Sequence, residues 1–142
     1  MEKYRPVAAL ILSGIFGDVE KFLIVRKPRQ DHSWQFPQGG VEKDESYLRA
    51  AERELYEECG KDLQIIFLYS WEVGEYQYDF PADFDRYKDE YKGAVVKFFR
   101  GIWESGEVKI DNKEIVDYKW VAEDEFQKYF DPEYLRVVKN FL

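Results

Sequence analysis

The amino-acid sequence predicts a mixed α+β domain, and three features carry that expectation. Short apolar runs bounded by glycine and proline open the chain, one uninterrupted helical pattern follows, and strand-like runs return before helical segments close it. The length of 142 residues fits one domain, taken as 1–142. A content of 45% hydrophobic and 18% aromatic residues supplies a core of matching size.

In chain order, Pro6 to Leu12 is an apolar run ended by Ser13-Gly14, and Lys21 to Val25 is a second after Gly17-Asp18, so the two read as paired strands. Tyr47 to Glu58 holds no glycine or proline and repeats Leu48, Ala51 and Leu55 at intervals of three and four. That pattern predicts a helix, started by Asp44 or Ser46 and stopped by Gly60. Leu63 to Trp71, Glu75 to Phe80, Ala94 to Trp103 and Ile115 to Val121 are rich in aromatic and branched residues and read as strands. Pro81 to Lys92 is charged and opens on proline, which predicts a loop or lid. Glu123 to Tyr129 and Pro132 to Phe141 read as two closing helices, the second with proline in its first turn. No repeats or low-complexity tracts are present.

Composition excludes several functions. The single cysteine, Cys59, rules out an intrachain disulfide or a cysteine metal cluster and suits a reducing compartment. No apolar run is long enough to span a bilayer, and Met1 to Pro6 does not resemble a secretory signal, so a soluble, cytoplasmic protein with no membrane partner is expected. With 29 acidic against 21 basic residues the net charge is −8, which repels polyanions and argues against extended nucleic-acid binding. An anionic substrate therefore needs local help, from a carboxylate-held metal or a few clustered basic residues.

The early helix supplies candidates for the first kind of help. Glu54, Glu57 and Glu58 are spaced by three and four, and at about 100° per residue they project from one face within a single turn. A solvated acidic face would look the same. The preceding Trp34-Gln35-Phe36-Pro37-Gln38-Gly39-Gly40 favours a site instead, because adjacent glycines let backbone approach a ligand closely. Clustered hard oxygens suit Mg²⁺ or Mn²⁺, and Arg53 among them can hold a carboxylate bidentately.

The pattern Gly39, five residues, Glu45, seven residues, Arg53-Glu54-Leu55, one residue, Glu57-Glu58, one residue, Gly60 resembles the Nudix box, with Lys61 where the family carries an aliphatic residue. The resemblance implies the Nudix fold, a mixed sheet sandwiched between helices. Tyr4-Arg5-Pro6, His32 to Gly40, Tyr78-Asp79-Phe80-Pro81, Lys92-Gly93, Lys97-Phe98-Phe99 and Glu114 ahead of Trp120-Val121 are similar to the branch containing bacterial RNA 5′-pyrophosphohydrolases and plant-type diadenosine polyphosphate hydrolases. Ala94-Val95-Val96 departs from that branch, at a position bearing on nucleotide specificity. A second resemblance, through Leu48 to Arg53, Cys59 to Leu63, Gly93 to Phe99 and Pro132 to Arg136, is to a Nudix-fold protein of the mitochondrial large ribosomal subunit, whose members have largely lost the box carboxylates. Here they are all present, which favours an enzyme over a ribosomal subunit.

The resemblance implies that Glu54, Glu57 and Glu58 ligate metal, with the Gly39 carbonyl and Glu114 as further ligands. Glu57 or Glu58 is implied as general base, Glu114 being a third candidate, and Arg53 and Glu45 form a supporting pair. Arg5, Arg26 and Lys27 flank the first two strands and are candidates for phosphate contacts, although ordinary surface basics would look alike. Tyr76 and Tyr78 share a strand face and can stack on a base or belong to the core. The tryptophans Trp34, Trp71, Trp103 and Trp120 read as core or rim, and His32 as a solvated loop residue. The expected activity is a Mg²⁺- or Mn²⁺-dependent pyrophosphohydrolase that cuts a phosphoanhydride in a dinucleoside polyphosphate or a 5′-triphosphorylated RNA end. The alternative is a non-catalytic mitochondrial ribosomal subunit.

Overall fold

The structure is a computed structural model that describes residues 3–28, 34–81 and 90–142. Its centre is a pair of long parallel strands, β1 (Tyr4–Phe16) and β7 (Gly93–Ser105), in register from Tyr4 opposite Gly93 to Ser13 opposite Ile102. Around them, β2 (Val19–Arg26), β3 (Trp34–Gln35), β5 (Gln64–Phe67) and β7 give the strand order β3-β2-β1-β7-β5. In addition β4 (Gln38–Gly40) pairs with β1, β6 (Gly74–Asp79) with β7, and β8 (Asp117–Val121) with β2.

Every residue from Val7 to Leu12 is at most 3% exposed, the mark of a strand covered on both faces. Alternation divides them. Ala8, Leu10 and Leu12 join Leu23, Val25, Leu55 and Cys59 beneath α1 (Tyr47–Cys59), whereas Val7, Ala9 and Ile11 join Phe22, Phe98, Phe126 and Phe130. This second face is closed by a 3₁₀ segment (Glu123–Lys128) and by α2 (Pro132–Val138), which continues into a short 3₁₀ turn (Lys139–Phe141).

At the start of α1, Ser46 is the cap, its hydroxyl accepting the Arg49 amide at 3.1 Å, while Asp44 sits in the left-handed region at φ 64°. Gly60 ends the helix at φ 96°, where a side chain would also press on the Lys109 backbone.

Several expectations are corrected. The run Leu63 to Trp71 forms a strand only over Gln64–Phe67, because β7 offers one edge to both β5 and β6, and residues 68–73 are the passage between them. The strand expected from Ile115 begins at Asp117, because the Asp111 carboxylate accepts the amides of Lys113, Glu114 and Ile115 and holds them in a turn. The Glu123 segment is 3₁₀ rather than α-helical. Two short strands, β3 and β4, arise where only a strand-loop was legible. His32 and most of the expected lid lie outside the described residues.

Leu55 is fully buried between α1 and the sheet. Leu55→Ala is expected to cost about 2–5 kcal/mol in urea unfolding, against about 1 kcal/mol for the cap variant Ser46→Ala.

Candidate active site

Helical geometry does what the spacing promised: Glu54, Glu57 and Glu58 leave α1 in one turn, and Arg53 lies among them. The guanidinium is shared out completely. Its Nε and Nη2 grip Glu45 at 2.8 and 3.0 Å, Nη2 also donates to the Gly40 carbonyl at 2.7 Å, and Nη1 donates to Glu54 at 3.0 Å and Glu57 at 2.9 Å. Glu45 in turn accepts the Glu42 amide at 3.0 Å, so loop and helix are tied through one side chain. These carboxylates hold Arg53 above its ordinary pKa, and Arg53 holds Glu45 below its own.

Glu58 is treated differently. It is 1% exposed, its Oε1 accepts the Gln38 amide at 3.1 Å, and its Oε2 faces Lys27 at 3.3 Å. Burial, offset by the charge of Lys27 and reinforced by Glu54, pushes its pKa up to about 7. Burial and the charge of Glu57 also raise Glu54. The carboxylate of Glu54 lies against Gly39, in space that any β-carbon at position 39 would occupy. Glycine there is a requirement of the close approach of backbone to carboxylate.

Beside the helix opens a cleft of about 350 Å³ lined by Arg5, Gly40, Glu42, Glu54, Glu57 and Tyr91. Arg5 packs on Gly40, where a β-carbon would meet its guanidinium. Thus Arg5 joins the carboxylates, and Lys27 reaches the site as the partner of Glu58 rather than as a cleft residue. Arg26 does not line the cleft; its backbone is engaged with Trp34 and Asp117. Tyr76 and Tyr78 do lie side by side, centroids 5.3 Å apart with their planes tilted by 30°, but Tyr76 packs on the core beneath α2, so the pair lies on the other sheet face. Glu114 is exposed in the Asp111 turn, which runs between Lys109, bonded to the Cys59 carbonyl, and Val116, bonded to the Arg26 carbonyl. Tyr91 and the Gln38 amide were not legible in the sequence: the first falls at the end of the expected lid and the second is backbone, and neither leaves a side-chain pattern.

A Nudix domain model matches residues 4–141. The chain belongs to the Nudix family. It is a Nudix pyrophosphohydrolase by its likeness to curated enzymes over nearly its whole length. It is 37% identical to an RNA pyrophosphohydrolase of Campylobacter jejuni over 99% of this chain and 94% of that one. The corresponding protein of Nitratiruptor is 35% identical over the same shares. A crystal structure of a C. elegans Ap4A hydrolase binary complex shares the fold with a TM-score of 0.78 at 20% identity, covering 96% of this chain and 94% of that one. The ribosomal alternative gains no support from these likenesses. No described helix is long and apolar enough to cross a membrane.

Nudix hydrolases generally use divalent metals. Among the described residues no three ligating side chains surround one point, since Arg53 draws Glu54 and Glu57 to itself and Lys27 engages Glu58. The donor set nonetheless fits a hard divalent ion. It consists of carboxylates only, two of them, Glu54 and Glu58, raised in pKa by burial and by a neighbouring carboxylate, Glu57 for the first and Glu54 for the second, beside a glycine that leaves room at the backbone.

Glu58 gives this Nudix enzyme a pH signature. Its folded pKa of about 7 lies above the ordinary 4.5, so the folded state holds the proton more tightly than the unfolded chain. The resulting stability is complete below pH 4.5 and is lost as pH rises through 7, by about 3 kcal/mol at most. Without divalent metal, urea unfolding of the wild type is expected to weaken from pH 5 to pH 8, whereas Glu58→Gln is expected to flatten that slope. Equal slopes would contradict the assignment.

Proposed function

We propose that this Nudix enzyme converts 5′-triphosphorylated RNA ends to 5′-monophosphates with release of pyrophosphate, using Mg²⁺ or Mn²⁺. The observation that carries the reading is the cleft, where the cation of Arg5 faces Glu54 and Glu57 across a glycine floor. Full-length likeness to enzymes named RNA pyrophosphohydrolase supports the substrate, and likeness in fold to an Ap4A hydrolase supports dinucleoside polyphosphates as a second class. A cleft of this size takes a chain end rather than a duplex, which agrees with the net charge of −8. A cytoplasmic setting suits the buried, unpaired Cys59.

Bound metal supplies charge neutralisation at the anhydride and a water of lowered pKa. Glu54, Glu57, Glu58 and the Gly39 carbonyl are the residues that hold it, and Arg5 orients the phosphates. Glu57 lines the cleft and accepts the proton of the attacking water, because reach comes before pKa in choosing a base. Glu58, turned inward to Lys27 and Gln38, anchors. Water attacks phosphorus, the bond to the bridging oxygen breaks, and pyrophosphate leaves.

Incubating purified protein with 5′-triphosphorylated RNA should release pyrophosphate only when divalent metal is added. Glu57→Gln is expected to lower kcat by about 10²- to 10⁴-fold. A wild type inert on triphosphorylated RNA and on diadenosine tetraphosphate, or release undiminished in the Glu57→Gln, Glu58→Gln double variant, would overturn the reading.

A second test concerns Arg53. Lysine cannot reproduce a guanidinium that donates to Glu45, Glu54, Glu57 and Gly40 together. Arg53→Lys is therefore expected to lose about 10-fold or more in kcat at saturating Mg²⁺. Full recovery at high metal would show that Arg53 tunes metal affinity alone.

A further inference from the structure

The glycine floor of the cleft belongs to the segment Phe36 to Gly40, and that segment is held from both faces of the sheet. On the α1 side, the Gln38 amide donates to Glu58 at 3.1 Å, and Glu54 rests on Gly39. In the sheet itself, the Pro37 carbonyl accepts the Leu10 amide at 3.0 Å. From the opposite side, Tyr134 of α2 reaches in and its hydroxyl accepts the Phe36 amide at 3.1 Å. The Phe36 ring is fully buried among Phe126, Phe130 and Tyr134, with centroids 5.8, 5.2 and 6.3 Å away.

We propose that Tyr134 is a positioning residue of the active site, its hydroxyl setting the height of the Phe36–Gly40 segment so that the Gln38 amide and Gly39 meet Glu58 and Glu54. The amide that Tyr134 holds and the amide that Glu58 receives lie two positions apart, with the restricted Pro37 between them, so displacement at one end is passed to the other. Phenylalanine at 134 would preserve the ring contacts and lose only the hydroxyl. The Phe36 amide would then have no acceptor in a part-buried place, and the segment would shift to find one. Burial holds the phenol well above its ordinary pKa, so the hydroxyl stays neutral at working pH. A small displacement suffices, because ligand and water positions tolerate little error.

This inference rests on the pyrophosphohydrolase reading, and the test separates the two. Tyr134→Phe and Val138→Ala are made in the full chain; Val138 is a buried α2 residue of the same core that has no bond to the segment. Melting scans establish that both variants are folded at the assay temperature. In Tyr134→Phe, calorimetry with Mg²⁺ should show an affinity reduced about tenfold. Hydrogen exchange of the Phe36 amide should be faster, and kcat should fall about tenfold with KM within about twofold of wild type. Val138→Ala should lower Tm and leave Mg²⁺ affinity, Phe36 exchange and kcat unchanged. Wild-type Mg²⁺ affinity and kcat in Tyr134→Phe, or equal losses in Val138→Ala, would overturn the proposal. If triphosphorylated RNA is not the substrate, the kcat arm is blank for every protein, while Mg²⁺ affinity and amide exchange still decide for or against Tyr134.

Discussion

The arrangement of the site depends on how one guanidinium is divided. Arg53 has five N–H groups, and the structure places each on an acceptor: two on Glu45, two toward Glu54 and Glu57, one on the Gly40 carbonyl. Because the fork is planar and rigid, these bonds fix the helix, the loop entering it and the glycine strand relative to one another. The balance of charge is incomplete. Among the described residues, the ion pairs of Glu42, Glu45, Glu54, Glu57 and Glu58 converge on two cations, Arg53 and Lys27, which leaves a negative surplus concentrated in a half-buried place. Such a surplus is unfavourable to a fold and useful to a catalyst, since a divalent ion is the natural complement to it.

The two faces of the sheet divide the labour. Beneath α1 the buried core is mostly aliphatic, Phe99 apart, and ends in carboxylates; beneath α2 it is richer in aromatic rings, with Phe22, Phe36, Phe98, Phe126 and Phe130. Aromatic packing is directional, with rings here meeting edge to face, as Phe36 does with Phe126 and Phe130. The side that carries none of the box carboxylates is therefore well suited to hold the backbone on which they rest.

How much of this was legible in the sequence follows from the range of each interaction. The helix and its carboxylate face were readable because they repeat every three to four residues, and β1 because an unbroken apolar run is what a doubly covered strand requires. The Glu45–Arg53 pair was readable through its spacing and a family resemblance. Contacts made by backbone left no trace: the Gln38 amide on Glu58, the seat of Glu54 on Gly39, the Tyr134 bond to Phe36. Alternation placed Tyr76 and Tyr78 on one face correctly, yet nothing local says which face of the sheet that is. Lys27 resembled a surface cation, and only the path of the chain past the end of β2 brings it to Glu58.

The parallel pairing of β1 with β7 bears on the order in which the molecule can assemble. Residues 4 to 58 contain every box carboxylate, Arg5 and the glycine floor, yet one edge of β1 has no partner until residues 93–105 lie alongside it. A chain growing from its N-terminus holds every box carboxylate long before it has a platform for them. Closing a loop of some ninety residues is entropically unfavourable and is not offset until the pairing is made. The platform thus arrives only with the nearly finished chain, and the box signature is complete in sequence before the sheet that carries it can close.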